Sequence, residues 1–192
     1  MTDHIKKIIN ASISVKQKIL SDEKMLQQIH QVVDVIVKAF KEGKRVYFAG
    51  NGGSAADAQH LAAEFSGRFY TDRHALPAEA LHCNTSYLTA VANDYSYDEI
   101  YARLIRGIAN PGDVLIGLST SGNSGNIVKA FEAARKKNVI TIGFTGEGGG
   151  KMKELSDYLF NIPSSDTPRI QESHILLGHI VCELVENGYF KS

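Results

Sequence analysis

His60 and Glu64 stand four residues apart in the run GNGGSAADAQHLAAEF, so a helix there carries imidazole and carboxylate on one face. Ala58, Leu61, Ala62 and Phe65 fall on the opposite side and predict the buried face. Near the other end of the chain, Gln171 and His179 lie about 80° apart around a helix of 3.6 residues per turn. Two imidazoles, a carboxylate and an amide on two helices are donors that a borderline-soft metal accepts. The same Glu and His can also take and return protons at neighbouring carbons. Spacing alone leaves a plainer alternative open, a His–Glu hydrogen-bonded pair.

Two loops have the chemistry to hold an anion. In Gly50-Asn51-Gly52-Gly53-Ser54 the glycines let backbone N–H groups approach a ligand closely. Ser119-Thr120-Ser121-Gly122-Asn123-Ser124 sets four hydroxyls before a helix start, with no Lys or Arg, and predicts a single phosphate held by hydrogen bonds and the helix dipole. Helix and turn capping is the competing use of those hydroxyls. Gly50, Gly52 and Ala55 satisfy the GxGxxA dinucleotide pattern, but neither Asp72 nor Glu79 occupies the strand-end acidic position that such a site needs. The run GEGGGK at 146–151 fails the nucleotide P-loop pattern, with Thr145 in place of the first Gly and Met152 in place of Ser/Thr.

These residues need rigid elements to position them. Short apolar runs at 45–49, 114–118, 139–144 and 158–162 predict strands, each alternating with a helical segment: 55–66, the stretch up to 137, a short helix up to 155, and 169–187. A further strand is predicted at 78–82, with helices at 85–91 and 98–107. Strands apolar along their whole length predict a parallel sheet covered on both faces, an α/β three-layer sandwich. Ahead of it, Ile5, Ile8, Ile9, Ile13, Ile19 and Leu20 predict one helix, and Leu26, Ile29, Val33, Ile36, Val37 and Phe40 a second. Ser21, followed by Asp22 and Glu23, predicts an N-cap, and Gly43 a stop. The expected organisation is one domain over 1–192, with a two-helix arm at 1–43 and an α/β core at 44–192. The arm has too many apolar positions to stand alone in water, so it must pack on the domain or on another subunit.

Composition removes other classes. Twenty-one Lys and Arg balance 21 Asp and Glu, so no global field favours nucleic acid or an anionic membrane. No apolar run reaches the ~18–20 residues of a membrane span. The first residues, MTDHIKKIIN, lack the apolar stretch of a signal peptide. Cys83 and Cys182 are the only cysteines and neither belongs to a CxxC, which predicts a cytoplasmic protein.

Several motifs taken together define a resemblance. GNGGSAADAQH, AAEFSGRF, VANDYSYDEIYAR, DVLIGLSTSGNS and TPRIQESHILLGH, in that order, resemble the phosphoheptose isomerases of the sugar-isomerase (SIS) domain superfamily, over essentially the whole chain. The resemblance implies an SIS-type, doubly wound fold and a homotetramer with sites at subunit contacts. It implies conversion of D-sedoheptulose 7-phosphate to D-glycero-D-manno-heptose 7-phosphate for cell-surface glycans. It also implies one zinc per site on His60, Glu64, Gln171 and His179, with Glu64 and His179 as acid/base pair. Ser119, Thr120, Ser121 and Ser124 would hold the phosphate, and Asn51, Gly52, Gly53, Glu64, Asn93, Asp94 and Gln171 the sugar. Thr167-Pro168 departs from a stretch that is acidic in some relatives. Two rivals share the fold. One is a non-catalytic protein that associates with the replication initiator; it lacks the carboxylate and imidazole that Glu64 and His179 supply here. The other is the sugar-sensing part of a transcription regulator, for which residues before Arg45 offer too little basic surface.

Overall fold

The computed structural model describes residues 1–191. Its five strands are β1 (Val46–Ala49), β2 (Ala78–Ala80), β3 (Val114–Leu118), β4 (Ile140–Thr145) and β5 (Tyr158–Asn161), all parallel, in the order β2-β1-β3-β4-β5. The helices are α1 (Thr2–Leu20), α2 (Glu23–Lys41), α3 (Gly53–Ser66), α4 (Thr85–Asp94), α5 (Ile100–Ile108), α6 (Gly125–Lys136) and α7 (Thr167–Phe190), with 3-10 turns at Tyr97–Glu99 and Gly150–Leu155.

Each central strand sends alternate side chains to two cores. Val46, Phe48, Ile116, Ile142 and Phe144 meet α2, α3 and α7 on one face. Tyr47, Ala49 and Leu115 meet α5 and α6 on the other. This is the three-layer α/β arrangement that the apolar strands predicted. From β1 the chain turns to β2 on one side, then crosses to β3 on the other. Strand order therefore reverses between β1 and β3, and the loops after those strands diverge around a crevice at their carboxyl ends. The glycine loop follows β1 and the hydroxyl loop follows β3.

The two N-terminal helices have different roles. On α2, Val32 and Ile36 are fully buried, and the helix lies along α7 as part of one layer. Its N-cap is Asp22, whose carboxylate accepts from the N–H groups of Lys24 and Met25. Ser21, the expected cap, instead ends α1. A carboxylate there faces the positive end of the helix dipole, which a hydroxyl does not exploit. On α1 only Val15 and Ile19 are buried; Ile5, Ile8, Ile9 and Ile13 are exposed. Cys83 and Cys182 are both free thiols.

Candidate active site

α3 begins straight after the glycine loop and buries Ala58, Leu61, Ala62 and Phe65 against the sheet and α7. That burial turns His60 and Glu64 outward. α7 lies close against α3 at Gly178, where an added Cβ would stand 2.5 Å from a Leu61 methyl carbon. A side chain at 178 would push the Leu61 side chain aside, and this close approach sets the next residue, His179, beside His60. The two Nε2 atoms are 2.9 Å apart, and His60 Nε2 lies 3.2 Å from Glu64 Oε1. Three donor atoms, one from each residue, fall within 4.8 Å of one another.

The donor set suits a tetrahedral ion: zinc–nitrogen bonds of about 2.0–2.1 Å place neighbouring ligand atoms roughly 3.3 Å apart. Two imidazoles and a carboxylate leave one position for a further ligand. Gln171 is on the same helix as His179, and its amide nitrogen lies 2.9 Å from where a Cβ on Gly53 would be. Asp57, one turn before His60, was not singled out by its spacing. Burial raises its carboxyl above the usual range, and only the nearby His60 and His179 oppose that. Its i, i+3 relation to His60 was the available signal.

The glycine loop bridges the rest of the site. Asn51 donates to Asn126 Oδ1 (2.9 Å) and accepts from Asn126 Nδ2 (2.8 Å) and Tyr97 Oη (3.0 Å). Its side chain is therefore spent on α6, leaving its backbone for a ligand. Tyr101, buried beneath, donates to Gly50 O at 2.5 Å. One end of the loop is fixed to α6 and the other touches Gln171 on α7.

The hydroxyl loop precedes α6. Ser119 and Ser124 lie with Oγ atoms 2.9 Å apart, and Ser121 Oγ accepts from Asn123 N–H. Ser124 is the N-cap of α6, yet its side chain makes no capping bond; α3 and α7 also start without one. In contrast, α2 and α4 are capped by Asp22 and Asn84. Ser121 thus serves its own turn, but no hydroxyl of the loop caps α6, whose first N–H groups stay available to an anion. The segment rejected as a nucleotide loop braces this one: Lys151 N–H donates to Asn123 Oδ1, Met152 N–H to Gly122 O. Gly122 has φ +66°, and a Cβ there would sit 2.1 Å from Gly149 O, so no other residue fits. A cavity of about 330 Å³ opens beside the loop, bounded by Thr120, Ser121, Gly146, Glu147 and Thr167. The departure at Thr167 thus falls on its wall. Among the described residues, Asn93 and Asp94 bond to each other at the exposed end of α4 and to no other candidate residue.

An α/β switch point with a phosphate-type loop on one side and a His/Glu/His cluster on the other defines a protein that handles a small anionic substrate. Comparison with known proteins names the class. The model of the SIS domain family matches residues 10–146. A phosphoheptose isomerase of Aneurinibacillus thermoaerophilus is 51% identical over 192 residues, covering 100% of this chain and 97% of that one. A phosphoheptose isomerase of Clostridium acetobutylicum is 51% identical over 190 residues, covering 99% and 97%. Among solved structures, phosphoheptose isomerase GmhA of Neisseria gonorrhoeae superposes with TM-score 0.91 at 37% identity, over 97% of this chain and 98% of that one. The chain belongs to the SIS domain family and, within it, to the phosphoheptose isomerases.

Proposed function

We propose that the chain is an aldose–ketose isomerase that converts D-sedoheptulose 7-phosphate to D-glycero-D-manno-heptose 7-phosphate, an early step towards the heptose of bacterial surface glycans. The observation that carries the chemistry is the meeting of His60, Glu64 and His179 across α3 and α7, at the sheet edge that also bears the hydroxyl loop. In this reading Ser119, Thr120, Ser121 and Ser124, with the open N-terminus of α6, hold the phosphate in ground and transition states alike. The backbone of Asn51, Gly52 and Gly53, with Gln171, Asn93 and Asp94, orients the sugar.

Glu64 takes a proton from C1 of the ketose, and the electron pair moves to give an enediolate. His179 moves the second proton: as C2 gains the one taken from C1, O1 gives up its own and O2 receives it, leaving the aldehyde at C1 and a hydroxyl at C2. His60, Glu64, His179 and Gln171 would hold one zinc, which supplies Lewis-acid polarisation of the carbonyl and of the developing oxyanion. His60 itself has no proton-transfer role in this reading. Glu64 is the more sheltered of the helix pair, with 21% of its side chain exposed against 50% for His60, which suits it to a base. Among the described residues no helix is long and apolar enough to cross a membrane; the two free thiols support a cytoplasmic enzyme. The exposed isoleucines of α1 support a homotetramer, with sites completed at subunit contacts.

The test is incubation of zinc-replete protein with sedoheptulose 7-phosphate and detection of the aldose phosphate. Conversion is expected. No conversion, with the sugar phosphate still bound, would overturn the enzyme reading in favour of a binding protein of the same fold.

A further inference from the structure

Arg73 and Glu186 form a buried ion pair, with side chains 4% and 3% exposed and Nε–Oε2 at 3.1 Å. Burying two charges stabilises a fold weakly or not at all compared with apolar packing. What such a pair does provide is direction, because a planar guanidinium and a carboxylate fix several partners at once. Here those partners converge on the site.

Arg73 Nη2 donates to Glu64 O at 2.7 Å, and Nη1 donates to Phe65 O at 2.6 Å and Gly67 O at 3.0 Å. These carbonyls lie in the last turn of α3 and just beyond it, where intrahelical partners run out. Glu186, on α7, accepts from three consecutive N–H groups: Phe69 (3.2 Å), Tyr70 (3.1 Å) and Thr71 (2.9 Å). Burial alone would raise its carboxyl, but those backbone bonds and Arg73 outweigh it and hold it below the usual range. The loop so pinned lays the Phe69 ring against the His179 ring, centroids 5.8 Å apart and 35° between planes.

We propose that Arg73 and Glu186 are positioning residues for the isomerisation: the pair sets Glu64 through the carbonyls of its own helix turn, and His179 through Phe69. This rests on the roles proposed above for Glu64 and His179. The side-chain hydrogen bonds of the pair run to α3, to the loop after it and to each other, none to the hydroxyl loop, so its loss bears on proton transfer and metal binding, not on the grip on phosphate.

The test uses the zinc-loaded enzyme with Arg73→Lys, whose ammonium keeps the charge but cannot serve Glu64, Phe65 and Glu186 together. We expect kcat to fall at least about tenfold with KM for sedoheptulose 7-phosphate within about threefold. Zinc affinity, read by competition with a chromophoric chelator, should weaken about tenfold, as for lost partners behind metal ligands. A lower melting temperature with kcat and zinc affinity of the folded protein unchanged would overturn the proposal. If Arg73→Lys does not fold, Phe69→Leu removes the ring against His179 and leaves the ion pair. Reduced kcat at unchanged KM with weakened zinc binding supports positioning, and unchanged values of both overturn it. Should the unmutated protein not isomerise the sugar, the catalytic reading fails while the zinc measurement still decides whether the pair positions the His/Glu/His cluster.

Discussion

Glu64 is asked to serve two masters, since a carboxylate held tightly by a cation is a weaker base. Two substitutions separate the roles. Glu64→Gln keeps size and an amide oxygen but cannot accept the C1 proton. We expect kcat to drop by at least the ~10²-fold typical of acid/base groups, with KM for the sugar phosphate little changed. Activity within a few fold of the unmutated enzyme would remove Glu64 from the base role. His60 is 2.9 Å from His179 and half exposed, and in the proposed division of roles it contributes only a ligand. Turnover of His60→Ala should therefore return in part with excess zinc, whereas His179→Ala, lacking ligand and proton carrier, should stay inactive. Equal rescue of both variants, or rescue of neither, counts against this division; metal content by elemental analysis accompanies the assay.

At the scale of elements, the strands and the paired His60 and Glu64 were legible because both follow from local periodicity. Apolar runs at 114–118 and 158–162 become strands β3 and β5 almost to the residue, and the i, i+4 pair needs only the helix. Contacts between distant segments were not legible from local pattern; the meeting of His60 with His179 was implied only by the resemblance. His179 reaches His60 because Gly178 lets α7 close on Leu61, and a lone glycine in a helix does not announce its neighbour. Arg73 stands in an unremarkable polar loop, and nothing local shows that it will meet Glu186. The same holds for His174 on α7. Its ring nitrogen Nε2 donates to Thr145 O at 3.2 Å, tying α7 to the end of β4, while Nδ1 is buried without a partner. Burial lowers its pKa to about 4 from an ordinary 6.5. Protonation would place an unpaired donor in an apolar surrounding. Below pH 6.5 the unfolded chain takes up a proton that the fold refuses, so stability falls from there towards pH 4, by roughly 3 kcal/mol over the range, and then levels. Carboxylates held low, such as Glu186, lose their contribution only as pH falls through the ordinary 4.5 and beyond, below the range from 6.5 to 5. His174→Gln keeps a donor for Thr145 and should flatten the slope between pH 6.5 and 5 in denaturant unfolding. An unchanged slope in the variant would mean another group is responsible.

The whole molecule leaves one surface at odds with solvent. Ile5, Ile8, Ile9 and Ile13 recur at i, i+3, i+4 and i+8 on α1 and remain 51%, 44%, 53% and 45% exposed. The sheet faces are already covered by α2 to α7, and among the described residues none buries this stripe. Fully burying an isoleucine contributes about 1.5–3 kcal/mol, and a stripe of four repeated in each subunit is a strong drive to self-association. We expect a homotetramer at micromolar concentration in sedimentation equilibrium, dissociating in an Ile9→Asp, Ile13→Asp double variant. The two readouts of function should then part. His60, Glu64 and His179 all come from one chain, so zinc binding should survive dissociation. If sites are completed at subunit contacts, as proposed, turnover should fall. A 21.0 kDa monomer with full activity would sink both the assembly and the shared site, leaving the exposed stripe without an explanation in catalysis.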